Sequence, residues 1–540
     1  MLFNSVEFLI FLPIVYALYR ILPLQQQNRM LLLASYLFYG WWDIRFLFLM
    51  MLSTSLDFWS GLIIQRGTLR PREIVVPFVF LSTAAVALLG VDYAELLRLA
   101  RGSGTGASIL TPLAPYVALG IPAYLAVLAL VYRVLLSLSE ERRRRAAMVL
   151  SIVVQLSILG SFKYFNFFID SLVAALRAAG IEAEPGHFDV ILPIGISFYT
   201  FQSLSYAIDI YRREVKATDR FFDYALFVAY FPQLVAGPIN RAKNLLPQIL
   251  SPRETTFDGT CRGIYLILLG LFKKIAIADG VAGTVAQAYA VPDASWGTVV
   301  GGTVLFAVQI YCDFSGYSDI ARGVSKLLGI ELTVNFRQPY FARSPRDFWQ
   351  RWHISLSSWL SDYLYKPLGG SHGSLAFTCR NLMLTMLLGG LWHGAAWNFV
   401  LWGLYHGTVL SLHRVVTARL GPATDGRLAA ALKIFGFGLV TLYGWLLFRA
   451  GSFEQIASFT TTLFTGRGGL SFDAATPSLS ALLGILLLAV IELVHYNWGA
   501  DRKFYWRLPG AVVGLTLALM IYLTLMGTSN EPAQFIYFQF

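Results

Sequence analysis

Runs of about 20 mostly apolar residues, the length a helix needs to cross a bilayer's hydrocarbon core, recur along the whole chain. In lipid every backbone N–H and C=O must be satisfied internally, so spanning structure is limited to helices and closed barrels. Candidate runs lie near 5–22, 30–41, 45–64, 74–92, 116–138, 147–174, 190–211, 221–237, 259–284, 296–325, 376–393, 395–417, 431–450, 479–497 and 508–527. Several are too short or too long for a simple span, which predicts tilted, broken or re-entrant helices where protein buries them or water lines them. The expected fold is all-α: one polytopic membrane bundle over 1–540, of roughly 12–15 helices, with no sheet. Composition agrees, because 14% charged residues is well below the roughly one quarter of soluble domains.

Charge sets the orientation. The net +11 is first explained by basic cytoplasmic loops, such as RGTLRPR at 66–72, EERRRR at 140–145 and YRRE at 211–214. It calls for no nucleic-acid partner; the partner it implies is membrane lipid. The stretch 178–189 is acidic in its centre and is expected to face outward. The N-terminal run lacks a basic n-region and a small-residue cleavage site, so it reads as a retained helix. Three scattered cysteines exclude a disulfide framework, and no HExxH or CxxC suggests a metal site.

Polar residues then single out the centre of the chain, since ionisable groups at membrane depth are costly and mark function by default. The segment 191–212 carries Gln202 among serines, tyrosines and Asp209. The segment 230–241 breaks at Pro232 and Gly237-Pro238. The segment 270–279 puts Lys273, Lys274 and Asp279 near a segment end. Residues 309–323 bring Asp313, Ser315 and Tyr317. Each could serve as a hydrogen bond between helices; together they predict a polar tunnel through the bundle. The segment 346–370 is too polar to span and reads as a re-entrant or interfacial helix carrying His353.

His353 and His393 are the candidate acid/base groups, because imidazole suits proton transfer near neutral pH. In GGLWHGAAWNFVLWGLYHG (389–407), Gly389, Gly390 and Gly394 are expected to let a substrate approach His393. Trp392 and Trp397 are expected to form its water-poor wall, with Asn398 beside them on the tunnel. His406 and His413 are read as structural. Arg337, Arg343, Arg346 and Arg351 have two readings: positive-inside charge, or a mouth that attracts an anionic donor such as coenzyme A.

RWHISLSSWLSDYLYKPLGG and LGGLWHGAAWNFVLWGLYHG resemble segments of the membrane-bound O-acyltransferase family, in its bacterial polysaccharide O-acetylation branch. GSFKYFNFFIDSL, LPIGISFYTFQSLSYAIDIYR, FPQLVAGPINR, GLFKKIAIAD, YCDFSGYSDIARG and the tail FIYFQF are also similar. The likeness covers most of 1–65 and 146–450, the latter being the core with the catalytic motifs, plus the last few residues. Residues 66–145 form an extra helical hairpin.

The resemblance implies a tunnel entered by an acyl donor from the cytoplasm, with the acyl group leaving outward. It makes His393 the essential residue and His353 its assistant at the cytoplasmic mouth. It implies a bacterial inner-membrane enzyme that passes acetyl, or a similar short acyl group, from acetyl-CoA or a like thioester to an exported polysaccharide such as alginate or cellulose, with no bound cofactor. An extracytoplasmic SGNH-type acetyltransferase and a polysaccharide synthesis and export complex are the expected partners. In the tail 528–540, a polar linker and an aromatic end, Tyr537 is a candidate acyl relay; the plainer reading is an interfacial anchor. The alternative function is a transporter or flippase for a lipid-linked sugar, with the histidines as a proton relay.

Overall fold

A computed structural model describes residues 1–101, 109–184, 186–187, 192–235, 237–421, 426–498, 508–528 and 535–536. Within them the chain is helical, with no β-structure beyond a single antiparallel bridge between Val91 and Leu110. Among the described residues eight helices are long and apolar enough to span a membrane: Arg45–Arg66, Pro71–Gly90, Ala114–Leu136, Glu140–Ala178, Trp296–Leu327, Leu375–His393, Arg427–Arg449 and Leu479–Asn497. The protein is therefore a multi-pass membrane bundle. There are more helical segments than the expected 12–15, because several spans are broken into pieces.

The breaks are located by sequence. Among the described residues of 230–240 the only helical piece is the short turn Phe231–Leu234, which carries Pro232 at its start and is followed by the Gly237-Pro238 pair. The expected single helix over 346–370 is two pieces, Pro345–Trp349 and Ile354–Leu360. His353 stands at the break, with φ 41° in the left-handed region, a conformation that costs a non-glycine residue of order 1–3 kcal/mol. Lys273, Lys274 and Asp279 do not lie at a segment end. They belong to a π-helical stretch, Phe272–Asp279, inside a helical run continuing from Phe257 to Ala290. Other π turns lie at Gly160–Tyr164 and Ser361–Tyr365.

Buried polar groups pair across helices, as a low-dielectric interior requires. Asp57 accepts from Ser151 at 2.7 Å and from Gln155 at 2.7 Å. Lys273 meets Asp319 at 2.9 Å, and Lys274 meets both Asp279 at 2.7 Å and Asp313 at 2.8 Å. Without a hydrophobic drive between helices in lipid, close packing relies on small residues. Gly263 and Gly270 on Phe257–Leu271 face Gly323 and Gly316 on Trp296–Leu327. A Cβ at Gly270 would lie 2.4 Å from the Gly316 carbonyl oxygen.

Gly270→Val is therefore expected to lower the thermal midpoint in detergent by the equivalent of about 1–3 kcal/mol, the usual cost of overpacking. Gly436→Ala, where a Cβ meets nothing within 4 Å, should leave the midpoint unchanged or slightly raised. Thermal unfolding followed by intrinsic fluorescence checks both.

Candidate active site

His393 is the last residue of the helix Leu375–His393. A helix end leaves carbonyls without intrahelical partners, and here three in succession are satisfied from one other helix. The Lys163 ammonium donates to the Trp392 carbonyl at 2.6 Å and to the His393 carbonyl at 3.0 Å, and the Tyr164 hydroxyl donates to the Leu391 carbonyl at 2.9 Å. Both residues come from the π turn Gly160–Tyr164. Such turns shift side-chain register and recur at functional sites. Cations are also favoured at the negative end of a helix dipole.

The His393 ring is buried and boxed by aromatic edges. Trp392, Trp402 and Phe448 lie 5.1, 5.0 and 5.4 Å away by ring centroids, all near perpendicular. Its open side borders a cavity of about 550 Å³, lined also by Lys163, Ser197, Phe198, Trp41 and Trp42. This chamber lies at the end of the bundle where the helix Ile196–Tyr211 begins. Arg212, at the other end of that helix, reaches the Asp362 carbonyl, shortly before the His393 helix starts. The two helices thus run antiparallel, and His393 faces the end opposite Arg212.

Trp392 connects the two histidines. Its ring lies 5.9 Å from that of His353 and 5.1 Å from that of His393, while Phe198 packs on both Trp392 and His353. The His353 Nδ1 lies 3.1 Å from the Asn335 Oδ1, and its Nε2 is buried with no partner among the described residues. His353 and His393 are thereby brought to one site.

Other expected site residues are placed differently. Trp397 is half exposed, donates to Ser171 at 3.2 Å and packs on Phe167; Trp402 and Phe448 supply the wall instead. The glycines do not leave room for substrate. A Cβ at Gly394 would lie 2.1 Å from the Phe399 ring, one at Gly390 2.2 Å from the Phe399 carbonyl oxygen and one at Gly389 3.2 Å from Leu360, so they let neighbouring side chains and the next helix close in. Gln202 donates to the Phe227 carbonyl at 2.6 Å, and Asn398 to the Ala450 carbonyl at 3.2 Å; both act as ties between segments. His406 packs among Phe348, Trp349 and Trp402.

Asp313, Ser315 and Tyr317 lie on one buried helix stretch. Asp313 accepts the Ile536 backbone N–H at 2.7 Å, and Phe535 packs 4.7 Å from Tyr317 and 6.2 Å from Phe314. Phe314 lies 4.6 Å from His353. The segment 535–536 thus enters the bundle beside the His353 pocket; Tyr537 lies outside the described residues.

Of the arginines, Arg343 donates to the Tyr496 hydroxyl at 2.6 Å and Arg351 to Asp347 at 2.6 Å. The Arg337 N–H donates to the Arg351 carbonyl at 3.0 Å. Arg337 and Arg346 are exposed. The four come from one folded segment, two of them tied and two facing out. Among the described residues no group of three or more His, Cys, Asp or Glu could hold a metal.

Lys163, Tyr164, Asn335, Trp402 and Phe448 were not singled out by sequence. Lys163 carried a signal, an ammonium within an apolar run. The others become visible only when distant helices meet.

A profile of the membrane-bound O-acyltransferase family matches residues 212–447, which include both histidines. A probable alginate O-acetylase AlgI of Azotobacter vinelandii is 36% identical over 507 residues, covering 94% of this chain and 86% of that protein. A peptidoglycan O-acetyltransferase of Helicobacter pylori is 35% identical over 348 residues, covering 58% of this chain and 63% of its own length. A teichoic acid D-alanyltransferase of Streptococcus thermophilus is 26% identical, covering 49% and 68%. With a bundle of membrane helices, two buried imidazoles around Trp392 and this extent of identity, the chain belongs to the membrane-bound O-acyltransferase family.

Proposed function

We propose that this O-acyltransferase carries acetyl, or a similarly short acyl group, outward across the bacterial cytoplasmic membrane for O-acetylation of an exported polysaccharide. The observation that carries the reading is His393, held at the floor of a chamber on the end of the bundle away from Arg212. Arg212 belongs to a basic loop, and basic loops mark the cytoplasmic side. The chamber then opens outward, as an acyl acceptor arriving from outside requires. The names of the relatives, an alginate O-acetylase and a peptidoglycan O-acetyltransferase, favour a polysaccharide as the final acceptor.

The donor is an acetyl-CoA-type thioester offered from the cytoplasm, its phosphates met by the exposed Arg337 and Arg346. His393 is the general base. It removes the proton from an attacking hydroxyl as the oxygen bonds the thioester carbonyl carbon. Collapse then breaks the carbon–sulfur bond, and the thiolate leaves with a proton. Trp392, Trp402 and Phe448 exclude water, which would otherwise hydrolyse the thioester. The Tyr537 hydroxyl is the first acceptor, a reading supported by its sequence neighbours 535–536, which lie inside the bundle against Asp313, Phe314 and Tyr317. A separate extracytoplasmic SGNH-type acetyltransferase, working with the polysaccharide synthesis and export complex, then takes the acetyl group to the polymer.

His393→Ala should reach the membrane at normal level and lose roughly 10²–10⁴-fold in acetyl transfer, the usual worth of a positioned acid/base group. Polymer acetylation measured in cells, with membrane abundance by immunoblot, checks this; normal acetylation would remove His393 from the chemistry. For the tail, purified protein incubated with radiolabelled acetyl-CoA should carry label on the 535–540 peptide by mass spectrometry. Tyr537→Phe should abolish that label. Label retained in Tyr537→Phe, together with unchanged polymer acetylation, would reduce the tail to an anchor.

A further inference from the structure

Asn335 lies in the connection between the helices Trp296–Leu327 and Pro345–Trp349, and its side chain is buried. Its Oδ1 faces three groups. The Ser355 backbone N–H approaches at 3.3 Å, the Ser355 hydroxyl at 2.9 Å and the His353 Nδ1 at 3.1 Å. Its Nδ2 donates to the Ser318 hydroxyl at 3.1 Å.

This arrangement fixes which end of the amide is which. A backbone N–H can only donate, so the atom facing Ser355 N–H is the oxygen. Turning the amide over would set an NH₂ against that N–H. The Ser355 hydroxyl oxygen already accepts the Ile239 N–H at 3.0 Å, which leaves its own hydrogen for the Asn335 Oδ1. The oxygen has no hydrogen to give to His353, so the bond at 3.1 Å requires the hydrogen on His353 Nδ1. A neutral imidazole carries one ring hydrogen, and its other nitrogen is then a bare lone pair.

That second nitrogen, Nε2, is buried without a partner among the described residues. The ring around it meets Phe314 at 4.6 Å, Trp392 at 5.9 Å and, in stacked orientation, Phe198 at 6.4 Å and Phe336 at 6.5 Å. An unsatisfied lone pair in apolar surroundings is costly, and the backbone holds it there under strain at φ 41°. The backbone is pinned as well: the Ile354 N–H donates to the Asn335 carbonyl at 2.9 Å and the Arg337 N–H to the Arg351 carbonyl at 3.0 Å.

We propose that Asn335 is a positioning residue that holds His353 as its Nδ1–H tautomer and so presents Nε2 as a hydrogen acceptor for the acyl donor. The donor group it fits is an amide N–H or a hydroxyl, both of which the pantetheine arm of a coenzyme-A-type thioester carries. His353 then binds and aligns the donor, and His393 is left to take the proton of the attacking hydroxyl. The proposal rests on the reading of the bundle as the path of an acyl thioester, but the tautomer itself does not.

Two measurements on the full-length protein in liposomes separate these parts. With ¹⁵N-labelled histidine, solid-state NMR should show the His353 ring, assigned by its loss in His353→Gln, protonated at Nδ1 and bare at Nε2. Asn335→Leu should release it to a mixture with the Nε2–H form, and Asn335→Asp, which keeps an acceptor oxygen, should restore the Nδ1–H form. In CoA release from acetyl-CoA, Asn335→Leu should raise KM about tenfold, the equivalent of about 1.4 kcal/mol, with kcat within about threefold. Asn335→Asp should stay within about threefold of the parent in both.

An Nε2–H ring in the unsubstituted protein overturns the proposal, whether or not Asn335→Leu folds. So does an unchanged KM in a folded Asn335→Leu protein whose His353 tautomer has been released. If the tautomers are as expected but the parent protein releases no CoA, the thioester reading fails and the role of Asn335 toward His353 stands.

Discussion

Three carbonyl oxygens, those of Leu391, Trp392 and His393, end a helix inside a membrane bundle, and Lys163 and Tyr164 satisfy all three. In water such a helix end would be solvated at little cost. Away from water an unsatisfied carbonyl is costly, and those two donors remove that cost where the helix stops. Because it stops there, the chain can turn at Gly394 and send the next helix, Trp397–Leu420, back along the first. Phe399 then fills the space beside Gly394, and Trp402 closes over the His393 ring. The imidazole is thus held by backbone, cap and aromatic box together.

The same logic extends to His353. Its segment is broken at His353, and the break is stabilised by the Asn335 side chain and by backbone bonds to 335–337. Trp392 spans the gap between the two rings. The two histidines are therefore mechanically linked through one tryptophan while being supported from different helices. Buried ion pairs around Lys273 and Lys274 stiffen the neighbouring helices, and Asp313 uses its remaining oxygen to receive the segment 535–536.

How much of this was legible in the sequence follows from what kind of signal each feature leaves. The helical membrane class is written in run length and composition, which are local. His353 and His393 are legible because ionisable groups are rare in apolar stretches. Breaks at Pro232 and Gly237-Pro238 follow from chain stereochemistry. Partner choice was not legible. Trp397 and Trp402 look alike in sequence, but the turn at 394–396 directs the first outward and the second over His393. The glycines show only that something approaches closely; the structure shows that it is Phe399, Gly403 and Leu360 and not a substrate. Asn335 sits in a connection with no periodicity, and its role appears only once 335 and 353 are neighbours.

The central claim is that an acyl group enters on one face of this bundle and reaches a hydroxyl at His393 near the other. Protein reconstituted in one orientation in sealed vesicles, given radiolabelled acetyl-CoA on the face that bears Arg337 and Arg346, tests it directly. The account predicts free CoA on the side of addition and labelled acetyl in the opposite compartment, as acetate or on a trapped hydroxyl acceptor. Label recovered only on the side of addition, with CoA released there at the same rate, would contradict it.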